Sequence, residues 1–190
     1  MNDLPDDGLT RCAWADSSEM MRSYHDDEWG RPIVGEQDMF ERLSLEAFQA
    51  GLSWATILRK RLAFREAFRE FDLDYCAGLT ETGIEDLMGN AAIIRARAKI
   101  EATRENAIAT ITLREDGGLV DLIGSFAPAA SPAPSAQSEV PTRSPESEML
   151  AKELRRRGFK FVGPTNMYAL MEAVGLVNTH LIGCFRRHAA

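Results

Sequence analysis

The chain has 190 residues, 45% of them hydrophobic, which is enough for a single domain over residues 1–190 whose core needs no disulfide bonds. Its 22 basic and 29 acidic residues give a formal net charge of -7. This charge argues against indiscriminate binding to nucleic acid, so any contact with phosphate must use local basic patches. No stretch is apolar enough to span a membrane, and we expect a soluble, cytoplasmic protein.

Apolar residues recur at helical intervals in the first half of the chain. A buried helix is predicted over residues 38–52, where Glu46 is the one conspicuous acidic misfit in an otherwise apolar surface. An amphipathic helix with a basic face is predicted over residues 55–71. A short helix is predicted from Thr82, with Glu85 completing a capping box, and a longer helix from about Ile93.

The second half of the chain is divided by a segment rich in proline, alanine and serine. Residues 127–145 hold five of the eight prolines, a composition that predicts a flexible loop within the domain. Helices are predicted to start at Pro145 and near Pro164. Since no run of residues alternates as a β-strand does, the fold class is all-α.

Two cysteine and histidine pairs lie at opposite ends of the sequence. His180 and Cys184 are four residues apart, so on a helical turn both side chains project from one face. Cys12 and His25 form the other promising pair, and together the four residues make a Cys2His2 set of the kind that binds Zn2+. Four protein ligands leave no position for catalytic water, so such a site is structural.

Spacing alone leaves a second interpretation of these residues open. Cys12 is equally well read as an exposed terminal cysteine, Cys184 as a buried apolar side chain, and the histidines as surface or hydrogen-bonded core groups. Cys76 and His188 need no metal to explain them.

Four motifs in matching order and spacing resemble the 3-methyladenine DNA glycosylase I family over nearly the whole chain, from about Cys12 to Cys184. The motifs are YHDDEWG at residues 24–30, LEAFQAGLSW at 45–54, RGFKFVG at 157–163 and GLVNTH at 175–180. The resemblance implies a helix-hairpin-helix glycosylase domain with a zinc-binding lobe that joins the N- and C-terminal segments. It also implies base excision repair of alkylated double-stranded DNA, by hydrolysis of the N-glycosidic bond of 3-methyladenine without strand cleavage.

The same resemblance implies particular site residues. The family's metal motif falls on Cys12, His25, His180 and Cys184, with one structural Zn2+ per chain. The family assigns the glutamate that matches Glu46 to recognition of the damaged base.

The chemistry of an alkylated base is consistent with this assignment. Adenine methylated at N3 is cationic, so its recognition calls for an anionic hydrogen-bond acceptor and electron-rich rings in a partly dry pocket. We expect Glu46 to fill the first role, as the catalytic residue, and Tyr24 and Trp54 to stack on the base, with Trp14 and Trp29 as further lining residues. The alternative is that Glu46 only forms a buried ion pair with an arginine such as Arg42.

Contacts with the DNA backbone are expected at two places. Gly51 and Leu52 follow the helix that carries Glu46 and are candidates to fill the gap left by an extracted base, although a helix end with a core leucine explains them equally well. The turn over residues 90–92 falls where the superfamily's hairpin approaches phosphate, with Arg95 and Lys99 nearby. Alanines replace the proline and glycine typical of that hairpin.

Two other functions compete with the glycosylase. A zinc hydrolase or deaminase would need an open coordination position and its own signature motifs, which the sequence lacks. A non-catalytic module that binds damaged DNA is the remaining alternative, in which Glu46 is structural. In every case we expect a monomer with no membrane partner.

Overall fold

The computed structural model describes residues 7–188, which contain helices and no β-strand. The fold is therefore all-helical, as predicted. The helices are α1 (Glu19–Asp27), α2 (Glu36–Gln49), α3 (Trp54–Ala67), α4 (Leu73–Ala77), α5 (Glu81–Gly89), α6 (Arg97–Leu113), α7 (Leu119–Gly124), α8 (Pro145–Arg156) and α9 (Pro164–Ala173). None of the helices in this part of the chain is long and apolar enough to cross a bilayer.

Helix α2 is the centre of the fold. It packs against α3, α6, α7 and α9, and most of its residues are buried. Phe40 and Phe48 are fully buried on α2 and join a row of phenylalanines that continues through Phe64, Phe68 and Phe71. Because α2 is surrounded on nearly every side, the acidic side chain of Glu46 on this helix is buried.

The ends of the predicted helices shift for identifiable reasons. Helix α2 ends at Gln49, three residues before the predicted end, because Ala50 leaves the helical region and Gly51 adopts a φ of 81°. The predicted capping residue of α5 is wrong. Thr80 caps this helix instead of Thr82, and its hydroxyl accepts from the backbone N–H of Gly83 at 3.2 Å.

The turn between α5 and α6 is longer than predicted, since α6 begins at Arg97 and not near Ile93. The side chain of Asn90 accepts a hydrogen bond from the backbone N–H of Ala92 at 2.9 Å, which closes the turn without a proline or glycine. Lys60 of α3 donates to the carbonyls of Ala91 and Ala92 at 3.3 and 2.7 Å. The turn is thus held by side chains from both sides.

The start of α8 is confirmed at Pro145, where Ser144 caps the helix and exchanges hydrogen bonds with Ser147. The start of α9 is confirmed at Pro164. Between α7 and α8, the proline-rich segment lies against the C-terminal residues, because the N–H of Ile182 donates to the carbonyl of Pro134 at 2.8 Å. Flexibility of residues 127–145 stays a prediction.

The N-terminal segment meets the end of α9 at two glycines. Gly30 donates its N–H to the carbonyl of Ala173 at 3.1 Å. Gly175 has a φ of 77°, and a Cβ at that position would lie 2.7 Å from the carbonyl oxygen of Gly30. Only glycine permits both this conformation and this approach.

We expect Gly175→Ala to lower the free energy of unfolding by about 3 kcal/mol, because a methyl group adds a steric clash to the strain of a left-handed backbone. Gly158→Ala is the matched control. Gly158 also has a positive φ, 96°, but its added Cβ would meet no atom within 4 Å. Urea denaturation of both variants measures the difference, and equal losses would contradict the proposed close packing at Gly175.

Candidate active site and metal centre

A cavity of about 540 Å³ opens beside α2 and is lined by residues of α1, α2, α3 and α9, with Trp14, Trp29, Gln137, residues 140–142 and Thr179 completing its wall. The structure brings all five predicted base-binding residues to this one cavity. They are Trp14, Tyr24, Trp29, Glu46 and Trp54. A volume of this size accommodates a purine.

Glu46 is the polar group at the bottom of this cavity, with 3% of its surface exposed. Its Oε2 is buried and has no hydrogen-bond partner within residues 7–188. Burial raises the pKa of the Glu46 carboxyl to about 8; the positive charge of Arg42 opposes this shift, and the carboxylate of Glu172 adds to it. An unpartnered acid in a dry site costs stability, which indicates that the site is shaped for a ligand.

Arg42 precedes Glu46 by one helical turn, but its hydrogen bonds go to other residues. Its guanidinium donates to the hydroxyl of Tyr24 at 3.0 Å and to the carboxylate of Glu28, which Arg61 also contacts at 2.6 Å. Arg42 therefore holds the cavity-lining side chain of Tyr24 in place. The buried ion pair between Arg42 and Glu46 that the sequence left open is not formed.

Aromatic rings form the sides of the cavity. The ring centroids of Tyr24 and Trp54 are 5.4 Å apart, and those of Trp14 and Trp29 are 5.0 Å apart in an edge-to-face arrangement. The guanidinium of Arg42 lies 5.4 Å from the Tyr24 ring centre and 5.8 Å from that of Trp54, which fixes both rings by cation–π contact. Together these rings present flat, electron-rich surfaces to a planar ligand.

Trp54 adds a polar group to the cavity that sequence reasoning did not identify. Its indole Nε1 is buried and lacks a hydrogen-bond partner among the described residues. The cavity thus contains an unpartnered acceptor on Glu46 and an unpartnered donor on Trp54. A heteroaromatic base carries both complementary kinds of group on its edge.

Sequence reasoning also missed Glu172 of α9, which lines the same cavity. Its carboxylate accepts a hydrogen bond from the hydroxyl of Thr179 at 2.5 Å. Burial raises the pKa of Glu172 to about 7, while the Thr179 hydrogen bond opposes the rise. In the sequence, Glu172 is distinguished only by its hydrophobic neighbours in α9. These neighbours were predicted to face the core, so Glu172 was not recognised as a cavity residue.

The four predicted metal ligands, Cys12, His25, His180 and Cys184, come together in one buried cluster. One ligand atom from each residue lies within 4.8 Å of the other three. Cys184 Sγ lies 3.4 Å from His25 Nε2 and 3.5 Å from His180 Nδ1. Two thiols and two imidazoles at these separations fit a tetrahedral cation such as Zn2+.

The surroundings of the cluster also suit a metal. His25 Nδ1 contacts the carboxylate of Asp26 at 2.7 Å, which leaves Nε2 for a ligand, and Arg11 holds that carboxylate in turn. Burial raises the pKa of the Cys12 thiol to about 12 and lowers that of His180 to about 4. A buried cation is what would favour a thiolate beside neutral imidazoles in this environment.

The local geometry of the C-terminal pair differs from the prediction. His180 and Cys184 lie on a turn and not on a helix, since the described helix α9 ends at Ala173. The turn is closed by the N–H of Cys184, which donates to the carbonyl of Leu181 at 2.9 Å. Gly183, with a φ of 93°, prevents the helical path that a four-residue spacing allows.

The predicted DNA-contact residues lie at different degrees of exposure. Leu52 is 39% exposed next to Gly51, whose φ of 81° ends α2 beside the cavity. Arg95 is exposed and forms no ion pair with any residue from 7 to 188. Lys99 is engaged inside the protein, because its ammonium donates to the carbonyls of Phe48 and Ala50 at 2.9 and 2.6 Å.

Comparisons with known proteins agree with this geometry. The DNA-3-methyladenine glycosylase of Haemophilus influenzae is 43% identical over 92% of this chain and 96% of its own length. A crystal structure of a 3-methyladenine DNA glycosylase I has a TM-score of 0.89 at 41% identity, and covers 93% of this chain and 98% of that one.

A Staphylococcus aureus structure that describes 3-methyladenine recognition by glycosylase I has a TM-score of 0.88 at 31% identity, and covers 94% of this chain and 97% of the other. The sequence model of the methyladenine glycosylase family matches residues 14–187. This chain therefore belongs to the methyladenine glycosylase family.

Proposed function

We propose that this protein is a DNA glycosylase that removes 3-methyladenine from alkylated double-stranded DNA in base excision repair. The observation that carries the proposal is the unpartnered carboxylate of Glu46 at the bottom of an aromatic cavity. Its relatives bear the same activity in their names, and one of them is described in terms of 3-methyladenine recognition.

The reaction needs little chemical assistance from the protein. Cleavage of the N-glycosidic bond leaves its electron pair on the cationic base, which departs as neutral 3-methyladenine, and water adds to the sugar carbon with loss of a proton. The protein's task is to extract, orient and select the base. Glu46 accepts a hydrogen bond from the purine edge and offsets its positive charge, while the rings of Tyr24 and Trp54 stack on its faces.

Monofunctional hydrolysis follows from the kind of groups in the cavity. The lining residues found between positions 7 and 188 include carboxylates, amides, hydroxyls and aromatic rings but no lysine amine. A strand-cleaving glycosylase uses an amine to form a Schiff base with the sugar. We therefore propose release of the base with the DNA strand left intact.

We assign contact with DNA to the α5–α6 turn, which we propose is the hairpin of a helix-hairpin-helix domain, and to the end of α2. The hairpin turn is exposed at Ala91 and Ala92, and Arg95 is available there to a phosphate. Gly51 and Leu52 lie in the sequence between Gln49 and Trp54, which line the cavity, and this position supports their proposed role where a base would enter. Lys99 is expected to act indirectly, by capping α2.

We further propose that Cys12, His25, His180 and Cys184 hold one structural Zn2+ per chain. When bound, the ion would supply charge neutralisation for two thiolates and a fixed link between the N-terminal and C-terminal segments. With four protein ligands it would not activate water. The chain is proposed to act as a single-domain monomer.

Glu46→Gln tests the assigned role in base excision. The amide keeps the size of the side chain but loses the negative charge, so single-turnover excision of 3-methyladenine should fall about 100-fold or more. Chromatography of bases released from methylated duplex DNA measures the rate, and denaturing gels check that the strand stays intact. Glu66→Gln, on the exposed side of α3, makes the same change in net charge and should retain full activity. A folded Glu46→Gln protein with wild-type excision would end the assignment.

The raised pKa of Glu46 also predicts a pH dependence of stability. Between its ordinary value of 4.5 and about 8, the folded protein keeps a proton that the unfolded chain has lost, so the free energy of unfolding falls as the pH rises. Glu46→Gln removes this contribution. Its Tm relative to the wild type should therefore rise between pH 5 and pH 8, by about 10 °C. Parallel Tm curves for the two proteins would show that Glu46 is already ionised when folded.

Metal analysis by mass spectrometry tests the zinc proposal. Purified wild-type protein should contain about one zinc per chain, and Cys184→Ser should lose it and unfold at lower denaturant because the segments it links are released. Cys76→Ser is the matched control, since Cys76 is also a buried free cysteine but lies outside the cluster. Equal zinc in both variants would refute the ligand assignment.

A further inference from the structure

Glu172 is a second carboxylate in the cavity that contains Glu46. It lies on α9 near Tyr168 and Ala169, which also line the cavity, whereas Glu46 comes from α2. The two acids therefore belong to different helices that meet at one space. The proposed function uses only the first of them.

The hydrogen bonds of Glu172 leave part of its carboxylate available. One oxygen accepts from the Thr179 hydroxyl. Among the described residues, no arginine, lysine or histidine forms an ion pair with Glu172, and no hydrogen bond to its other oxygen is found. A hydroxyl supplies no full positive charge, so the protein does not neutralise this group.

The cavity therefore contains two acidic groups and no cation that forms an ion pair with either of them among the described residues. Burial raises the pKa of both carboxyls, and the negative charge of Glu172 contributes to the rise at Glu46. The nearest cation, Arg42, is bonded to Glu28 and Tyr24. Ionising both acids in the empty cavity is therefore costly, and a positively charged ligand would remove that cost while a neutral ligand of the same shape would not.

We propose that Glu172 is a specificity-determining residue, which together with Glu46 makes the cavity select purines that carry a permanent positive charge. This inference rests on the proposed base-binding function and extends it. The cation is attracted by both carboxylates, which line the same cavity. Neutral adenine, which is present in far larger amounts in DNA, lacks this attraction.

A purely structural role for Glu172 makes a different prediction. If its task were only to hold Thr179 and the turn that follows, substitution would disturb cationic and neutral ligands alike. Glu172→Gln separates the two roles, because the glutamine amide oxygen still accepts from the Thr179 hydroxyl while the charge is lost.

The test compares two small probes by isothermal titration calorimetry at pH 8. One is 3,9-dimethyladeninium, a permanent cation, and the other is its neutral 3-deaza analogue with the methyl group on carbon. For Glu172→Gln we expect the cation to bind about tenfold more weakly and the neutral probe to change by less than about twofold. Glu66→Gln, with the same loss of one negative charge far from the cavity, should leave both affinities unchanged.

The pair Glu172→Asp and Glu172→Asn repeats the comparison with a shorter side chain, so the proposal stays testable even if glutamine is not tolerated. The aspartate variant should keep the preference for the cation, and the asparagine variant should lose it. An equal loss for both probes, or no loss for either, would overturn the role of Glu172. Failure of the wild-type protein to bind either probe would instead refute the base-binding cavity itself.

Discussion

The chemistry proposed for this protein depends on keeping the carboxyl group of Glu46 buried without an ion-pair partner. Arg42 has the right spacing on α2 to neutralise Glu46, and it is drawn away by Glu28 and Tyr24. The ion pair between Arg42 and Glu28 supports the aromatic side of the cavity, while the carboxyl of Glu46 stays available to a ligand. A fold that paired Arg42 with Glu46 would neutralise this carboxyl within the protein, and the proposed selectivity for a charged base would be lost.

The metal cluster and the cavity share one helix and one set of rings. His25 of the cluster is adjacent to Tyr24 of the cavity on α1, and the Trp29 ring lies 4.5 Å from His180 and 5.0 Å from Trp14. Rings in such contact move together. The proposed Zn2+ would thus have a second effect besides joining the chain's two ends, since it would fix the aromatic side walls against which a base stacks.

The sequence was sufficient for much of this arrangement where local chemistry was decisive. The helical repeat of apolar residues predicted α2 and α3, and Pro145 and Pro164 marked the starts of α8 and α9. The misfit of Glu46 in α2 singled out the residue that lies at the bottom of the cavity. The end of α2 and the start of α6 were predicted wrongly, because single residues determine them. The positive φ of Gly51 ends α2, and the side chain of Asn90 closes the turn before α6. Hydrophobic periodicity predicts neither of these local conformations.

The sequence also did not predict contacts between residues that lie far apart along the chain. The roles of Arg42, Lys99 and Glu172 depend on which helices meet, and each of these residues looks like an ordinary charged residue of its own segment. Glu28 takes up the charge of Arg42 from 14 residues away, and the two carbonyls that Lys99 caps are about 50 residues away in the sequence. The cysteines and histidines were easier to assign, because their type restricts the chemistry even where the sequence separation is large.

The proline-rich segment between α7 and α8 forms part of the cavity wall through Gln137, Val140, Pro141 and Thr142. It is tied to the C-terminal residues by hydrogen bonds from the N–H of Ile182 to the Pro134 carbonyl, from the N–H of Asn178 to the Ser131 hydroxyl and from the Arg187 guanidinium to the Pro132 carbonyl. A change in its length or side chains would therefore alter the cavity wall and leave the packing of the core helices in place. Such a change would widen or narrow the cavity, and with it the range of bases proposed to fit, while the charged and aromatic side chains of the helices stay in place.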